Sequence, residues 1–262
     1  MDGLGGFVIK YIVNLPIIKF SNRYLLSNLD RSSFDIKTKE AICQLNEYKR
    51  ELPKISAVYR VKNGERTIES SILSVAPICS EIIVVDNGST DRTINIVEDL
   101  RSKLSGVCSV KIFKFNSKVA IAGSSYTKDL AAGEMCSLSD FYNFSFSKGS
   151  CDYLMKVDSH LIFTFSGLKK IQKKLSKKPR FIMYRGVEIF GKSLSYEIYI
   201  YKNDGMFRYV DGEQYECLKF DEEPTLLERI TNRIIEPVFI HVKRLSYVVI
   251  DASSDLAREL YK

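Results

Sequence analysis

Three places in this 262-residue chain put polar side chains directly after apolar runs. A β-branched and aromatic run over 55–61 ends in Arg60, Lys62 and Asn63. The run EIIVVD over 81–86 ends in Asp86, with Asn87 after it. The run DYLMKVD over 152–158 ends in Asp158, followed by Ser159 and His160. In open parallel sheets, ligands bind outside the carboxyl ends of the strands, so these are the positions from which a ligand site is built. One Asp after a strand more often caps the next turn. Acid, amide and imidazole together on several strand ends are harder to explain that way.

The elements that must position these residues follow from periodicity. Helices are expected over 34–49, 65–76, 91–104 and 167–177, each with apolar residues on one face. Pro53 and Pro77 are expected to stop the first two. Strands are expected over 55–61, 81–86, 109–115, 152–158 and 180–187. The run EIIVVD has the continuous apolar character of a central strand buried on both faces. Two shorter helices are expected over 127–135 and 138–147. Beyond about 195 the pattern changes to aromatic-rich strands, YEIYIY and MFRYVDG. The alternation is that of an α/β fold with a mostly parallel sheet. Residues 1–53 are expected to be an N-terminal extension, 54–250 the domain and 251–262 a tail.

Composition sets the outer bounds. Apolar residues make up 45% and charged residues 27%, as in a globular protein that buries a real core. The net charge of +7 suits an anionic partner or is ordinary surface charge. The six cysteines show no C-x-x-C spacing, which argues against a zinc knuckle or a redox pair and for reduced thiols. The apolar stretch 7–20 is interrupted by Lys10, Asn14, Pro16 and Lys19 and is too short to cross a bilayer. A cytoplasmic protein, or one peripheral at the inner face of a membrane, is expected.

The segments ISAVYRVKNGERTI (55–68) and EIIVVDNGSTDRT (81–93) closely resemble inverting family-2 glycosyltransferases. That resemblance implies the GT-A fold, a Rossmann-like mostly parallel sheet flanked by helices that binds a nucleotide-sugar donor. It implies that Asp86 accepts a hydrogen bond from the nucleobase and that the Asn63 loop lines the same pocket. Tyr59, Arg60, Lys62, Glu65, Asn87, Lys156 and Asp158 complete the expected donor site. Lys156-Val-Asp-Ser-His160 stands where the family carries its D-x-D metal motif. The D-x-H form looks like that of the polypeptide GalNAc-transferases. Asp158 and His160, with His241 returning late in the chain, would hold Mn²⁺ or Mg²⁺ against the donor diphosphate; such ions accept both carboxylate and imidazole. An inverting transfer also needs a carboxylate to take the acceptor's proton. YVDGEQYECL (209–218) resembles the family loop that supplies it, which points to Glu216, with Glu213 and Asp211 as rivals.

The acceptor is expected to be a glycan or lipid-linked molecule in cell-surface polysaccharide or lipopolysaccharide synthesis. The expected helix at 167–178 opposes Leu168, Ile171 and Leu175 to Lys169, Lys170, Lys173, Lys174, Lys177 and Lys178. Such a basic face suits an anionic membrane surface or a nucleic acid. A glycosyltransferase acting on a hydroxylated DNA base is therefore the alternative. A non-catalytic nucleotide-sugar-binding module is the other. Dinucleotide dehydrogenases are disfavoured by the absence of G-x-G-x-x-G, and sugar-nucleotide pyrophosphorylases by the absence of a glycine-rich loop after the first strand.

Overall fold

The computed structural model describes residues 37–189 and 191–243. Its elements are α1 (Lys37–Lys49), β1 (Ile55–Val61), α2 (Ile68–Val75), β2 (Glu81–Asp86), α3 (Thr93–Lys103), β3 (Ser109–Lys114), α4 (Tyr126–Ala131), α5 (Leu138–Phe146), β4 (Tyr153–Val157), β5 (Leu161–Phe163), α6 (Phe165–Leu175), β6 (Phe181–Tyr184), β7 (Gly186–Glu188), β8 (Glu197–Lys202), β9 (Phe207–Asp211), β10 (Glu216–Phe220), α7 (Leu226–Thr231) and β11 (Phe239–His241). The six-stranded sheet has the order β3-β2-β1-β4-β8-β6. The pairings β1–β2, β2–β3 and β1–β4 are parallel, whereas β8 is antiparallel to both β4 and β6. This is the α/β, mostly parallel architecture expected, flanked by helices.

The two faces of the sheet carry separate cores, which explains the unbroken apolar strands. Every residue of β2 is buried. On one face, Ala57, Tyr59, Ile82, Val84 and Met155 pack with Ile68 and Ile72 of α2, Val97 of α3 and Leu168 and Ile171 of α6. On the other, Val58, Ile83, Val85 and Leu154 pack with Phe141 and Phe146 of α5 and Tyr209 of β9.

The structure redraws several expected elements. Helix α2 starts at Ile68 rather than 65, because residues 65–67 form a turn in which the Thr67 and Ile68 amides both donate to Gly64 O. Pro77 lies inside a 3₁₀ turn, Ala76–Ile78, that continues from α2. The single strand expected over 180–187 is two strands in two sheets. β6 closes the large sheet, and β7 joins a small one of order β5-β11-β7. Gly186 permits that crossing: a Cβ there would lie 2.1 Å from Cε2 of Phe239.

The described part of the expected extension packs on the sheet domain. Leu45 of α1 is 2% exposed within the main core. Lys49 Nζ donates to Cys79 O at 2.9 Å and Val107 O at 2.8 Å. The expected apolar stretch 7–20 and tail 251–262 lie outside the described residues. The six cysteines are free thiols; Cys79 and Cys108 are buried, and burial pushes both pKa values up. Among the described residues no helix is long and apolar enough to cross a membrane.

Candidate active site

The strand order reverses beside β1, with β2 and β3 on one side and β4 on the other. A crevice forms at the carboxyl ends of such strands. Register brings the expected residues to it. Val61 is level with Asp86, and Tyr59 with Val157, so Arg60 and Asp158 follow as neighbours.

Alternation along β1 then separates them. Arg60 is directed to the face of Val58 and α5. Tyr59 is directed to the opposite core, fully buried, with its hydroxyl 3.2 Å from that of Ser71. The expectation that Tyr59 lines the donor pocket is therefore corrected: it is a core residue.

Arg60 Nη2 donates to Asp158 Oδ1 at 2.8 Å, and the guanidinium lies 4.0 Å from the Tyr142 ring centroid. Lys156 Nζ lies 3.2 Å from Glu197 Oε2 and 3.9 Å from Glu216 Oε1. Burial opposes ionisation of Asp158, but the Arg60 guanidinium and the Lys156 ammonium outweigh it and hold its carboxyl below the usual range. One Asp158 oxygen is thus engaged by Arg60. The other is 4.0 Å from His160 Nε2.

The small sheet brings the two histidines together. His241 is level with Leu161 of β5, and the Val242 amide donates to His160 O at 2.9 Å. The imidazole centroids are 4.6 Å apart, edge to face. His241 Nδ1 lies 3.0 Å from Glu188 Oε2. Burial pushes the His160 pKa down to about 4, so its ring is neutral at pH 7 and keeps a lone pair.

Asp158 and His160 suit a divalent ion. Two donors each about 2.1 Å from one ion can lie up to about 4 Å apart, which matches the Asp158–His160 separation. Among the described residues no three His, Cys, Asp or Glu side chains converge into a metal-binding group. Ions that arrive with a phosphate ligand are commonly held by one or two protein groups plus phosphate oxygens, which two donors satisfy.

The loops after β1 and β2 are laced together. Asn63, at φ 57°, accepts the Thr90 amide at 2.8 Å and donates its own amide to Ser89 Oγ at 2.9 Å. Asp86 accepts the Ser89 amide at 3.0 Å. Asn87 Nδ2 donates to Phe115 O and Ser117 O, and Glu65 accepts the Arg92 amide. Lys62 is exposed. Asn87 and Glu65 therefore shape the loops through bonds within the chain. At Gly64, a Cβ would come within 2.8 Å of Val61 and 3.1 Å of Ser159 Oγ, so glycine lets the loops after β1 and β4 close on each other.

The three acids proposed as bases separate cleanly. Glu216 of β10 is 10% exposed and directed at Lys156. Asp211 accepts from the Tyr126 hydroxyl, the Ser139 amide and the Ser139 hydroxyl, which hold its pKa low against burial. It fastens the hairpin to α4 and α5. Glu213 is exposed on the turn between the strands. Tyr142, Glu197 and Glu188 belong to the site and were missed from sequence. Glu188 sits within RGVEIFG, a segment with no donor-site pattern of its own.

The expected lysine face does not form one surface. Helix α6 ends at Leu175, so Lys177 and Lys178 lie beyond it. Lys170 pairs with Glu236 at 3.1 Å, and Lys174 donates to Thr231 O. Lys169 and Lys173 flank a groove against Gln44, Leu45 and Tyr48. The sequence pattern was amphipathic, but α1 and the segment after α7 occupy part of the polar side.

The low His160 pKa has a consequence for stability. The unfolded side chain titrates near 6.5 and the folded one near 4. The unfolded chain therefore binds more protons between these values. The contribution is complete above about pH 6.5 and is lost as pH falls towards 4. The loss is on the order of 2 kcal/mol. Urea unfolding at pH 7 and pH 4.5 should show a smaller difference for His160→Asn than for the wild type. Equal pH dependence in the two proteins would refute the buried neutral imidazole.

Residues 56–123 match the family model described as Glycosyl transferase family 2. That stretch contains β1, β2 and the Asn63 and Asp86 loops. An uncharacterized glycosyltransferase from Rickettsia bellii (strain RML369-C) is 49% identical over 51 residues, which are 20% of this chain and 17% of that protein. The match thus spans less than a fifth of the relative's length. Among solved structures, S. aureus TarS 1-349 is 15% identical with a TM-score of 0.47, covering 79% of this chain and 68% of that one. Glucosyl-3-phosphoglycerate synthase from Mycobacterium tuberculosis, in complex with Mg²⁺ and uridine diphosphate, is 24% identical with a TM-score of 0.36, covering 57% of this chain and 48% of that one.

Proposed function

We propose that this chain is a metal-assisted glycosyltransferase that moves a sugar from a nucleotide-sugar donor to an acceptor hydroxyl with inversion. The observation that carries the reading is one of placement. The segment matching Glycosyl transferase family 2 supplies β1 and β2, whose carboxyl ends lie next to that of β4, where Asp158 neighbours Arg60 and His160.

In this reading the loops after β1 and β2 receive the nucleoside, with Asn63 and Asp86 forming the rim. Asp158 and His160 would hold Mn²⁺ or Mg²⁺, which when bound would supply Lewis acidity against the charge of a diphosphate leaving group. Arg60 keeps Asp158 ionised and oriented. Glu216, across the crevice, takes the proton from the attacking hydroxyl, and Lys156 holds its carboxylate in place. A glycan or lipid-linked acceptor in cell-surface glycan synthesis remains the reading for the second substrate. Lys170 and Lys174 already have partners within the chain, which weakens the lysine face as support for either a membrane surface or a nucleic acid.

The test is a panel of UDP-, GDP-, ADP- and dTDP-sugars scored by nucleotide release, with and without chelator. One donor should be consumed, EDTA should abolish release and Mn²⁺ should restore it. Full activity in EDTA would refute the metal, and no release from any donor would refute the enzyme.

A further inference from the structure

Outside the crevice, two arginines meet on one tyrosine. The Arg185 guanidinium lies 4.9 Å from the Tyr196 ring centroid, and that of Arg233 lies 5.0 Å from it. Three separate segments supply them. Arg185 follows β6, Tyr196 precedes β8, and Arg233, just after α7, forms an isolated β-bridge with Met183 of β6. Arg185 is 4% exposed, whereas Tyr196 and Arg233 are partly exposed. The Tyr196 hydroxyl donates to Ile235 O at 2.7 Å, which fixes the ring.

Like charges gathered this way oppose each other. Burial, and then the Arg233 charge, push the Arg185 pKa down. The acid in the Arg233 segment is engaged elsewhere: Glu236 Oε1 is 3.1 Å from Lys170 Nζ. Arg233 Nε is buried with no hydrogen-bond partner among the described residues. Buried charged groups are normally paired, and a guanidinium fork matches the oxygens of a carboxylate or a phosphate. Two converging cations favour phosphate, which carries about −1.5 to −2 charges at pH 7.

We propose that Arg233, with Arg185 beside the same ring, forms a binding site for a phosphomonoester, separate from Asp158 and His160. The site flanks the crevice. β8 is antiparallel to both β4 and β6, so its start shares an edge of the sheet with the ends of those two strands. Glu197, next to Tyr196, is 3.2 Å from Lys156 of β4. The inference needs neither the metal nor the transferase reading. Two sources carry this chemistry, a soluble phosphomonoester and the headgroup of an anionic lipid.

The test begins with ¹⁵N-arginine-labelled protein, in which Arg233→Lys assigns the Arg233 Nε–H signal. Inorganic phosphate at constant ionic strength should shift that signal saturably, and chloride should not. Calorimetry with glycerol 3-phosphate then measures affinity. Arg233→Gln should weaken binding at least about tenfold, the loss expected for one charge-assisted contact. Arg233→Lys keeps the charge without the fork and should fall between. Asp158→Asn should bind as the wild type does. The same variants on vesicles containing phosphatidate decide the source: binding there but not to glycerol 3-phosphate identifies a lipid headgroup. A role in ring stacking alone predicts that Arg233→Gln unfolds at lower urea and that phosphate leaves the wild-type signal and urea midpoint unmoved. That result would overturn the proposal. So would binding to none of the three probes, or binding that Asp158→Asn removes and Arg233→Gln does not.

Discussion

Asp158→Asn lowers sugar transfer by at least about 100-fold, the usual loss when one preorganised charge stabiliser is removed from an active site. The expectation follows from its position. Asp158 stands at the end of β4, ionised despite burial, with one oxygen on Arg60 and the other facing His160. Asparagine keeps an acceptor for Arg60 but removes the charge that would hold the ion. Alanine is the harsher change, because it also leaves the Arg60 guanidinium, 3% exposed, without its carboxylate. Uncompensated buried charges of this kind cost about 3–5 kcal/mol. Asp158→Ala should therefore unfold at lower urea as well as lose activity, while Asp158→Asn should lose activity with a smaller stability change. The measurement is initial rate at saturating Mn²⁺ alongside urea midpoints. An asparagine variant retaining more than about a tenth of the wild-type rate would rule out Asp158 as a charge stabiliser.

Glu216→Gln has the other large expected effect. General-base catalysis contributes roughly 10²–10⁴-fold, so kcat should fall by that range. The donor KM should change little, because the substitution alters proton acceptance and hardly any volume. The neighbouring acids serve as internal controls. Asp211→Asn should lower stability, since Asp211 ties β9 to Tyr126 of α4 and Ser139 of α5. Glu213→Gln, on the exposed turn, should leave both quantities near wild type. Product analysis by NMR should find the anomeric configuration inverted relative to the donor. Retention of configuration, or a silent Glu216→Gln, would remove Glu216 from the base role.

Much of the fold was legible because local pattern and burial agree in its first half. EIIVVD over 81–86 has no polar interruption before Asp86, and a strand in the middle of a parallel sheet is covered on both faces, so pattern and environment coincide. The same agreement exposed Asn63, Asp86 and Asp158, because a strand's last residue is marked by the change from apolar to polar. It failed for Tyr59: aromatic and polar at once, it looked equally suited to a pocket. Only its alternation with Arg60 across the sheet put it in the core. It also failed at 180–187, where the hydrophobic run continues but the chain changes sheet at Arg185 and Gly186.

By itself the sequence determined the α/β class, the parallel strands and the strand-end residues, since these depend on periods of two and 3.6 within short windows. It also determined that the chain carries only two histidines, whereas the meeting of their rings, with His160 next to Asp158, is tertiary. The tertiary structure alone decided which of the acids over 211–216 lies next to Lys156. Asp211 and Glu216 differ by a few positions and look alike in sequence. Strand pairing in the β9–β10 hairpin and packing on α4 and α5 consume one and direct the other at Lys156. It likewise decided that Arg60 pairs with Asp158 and that Glu188 stands behind His241. These contacts join residues 53 to 98 positions apart, where no local pattern can carry the information and only strand order and register can.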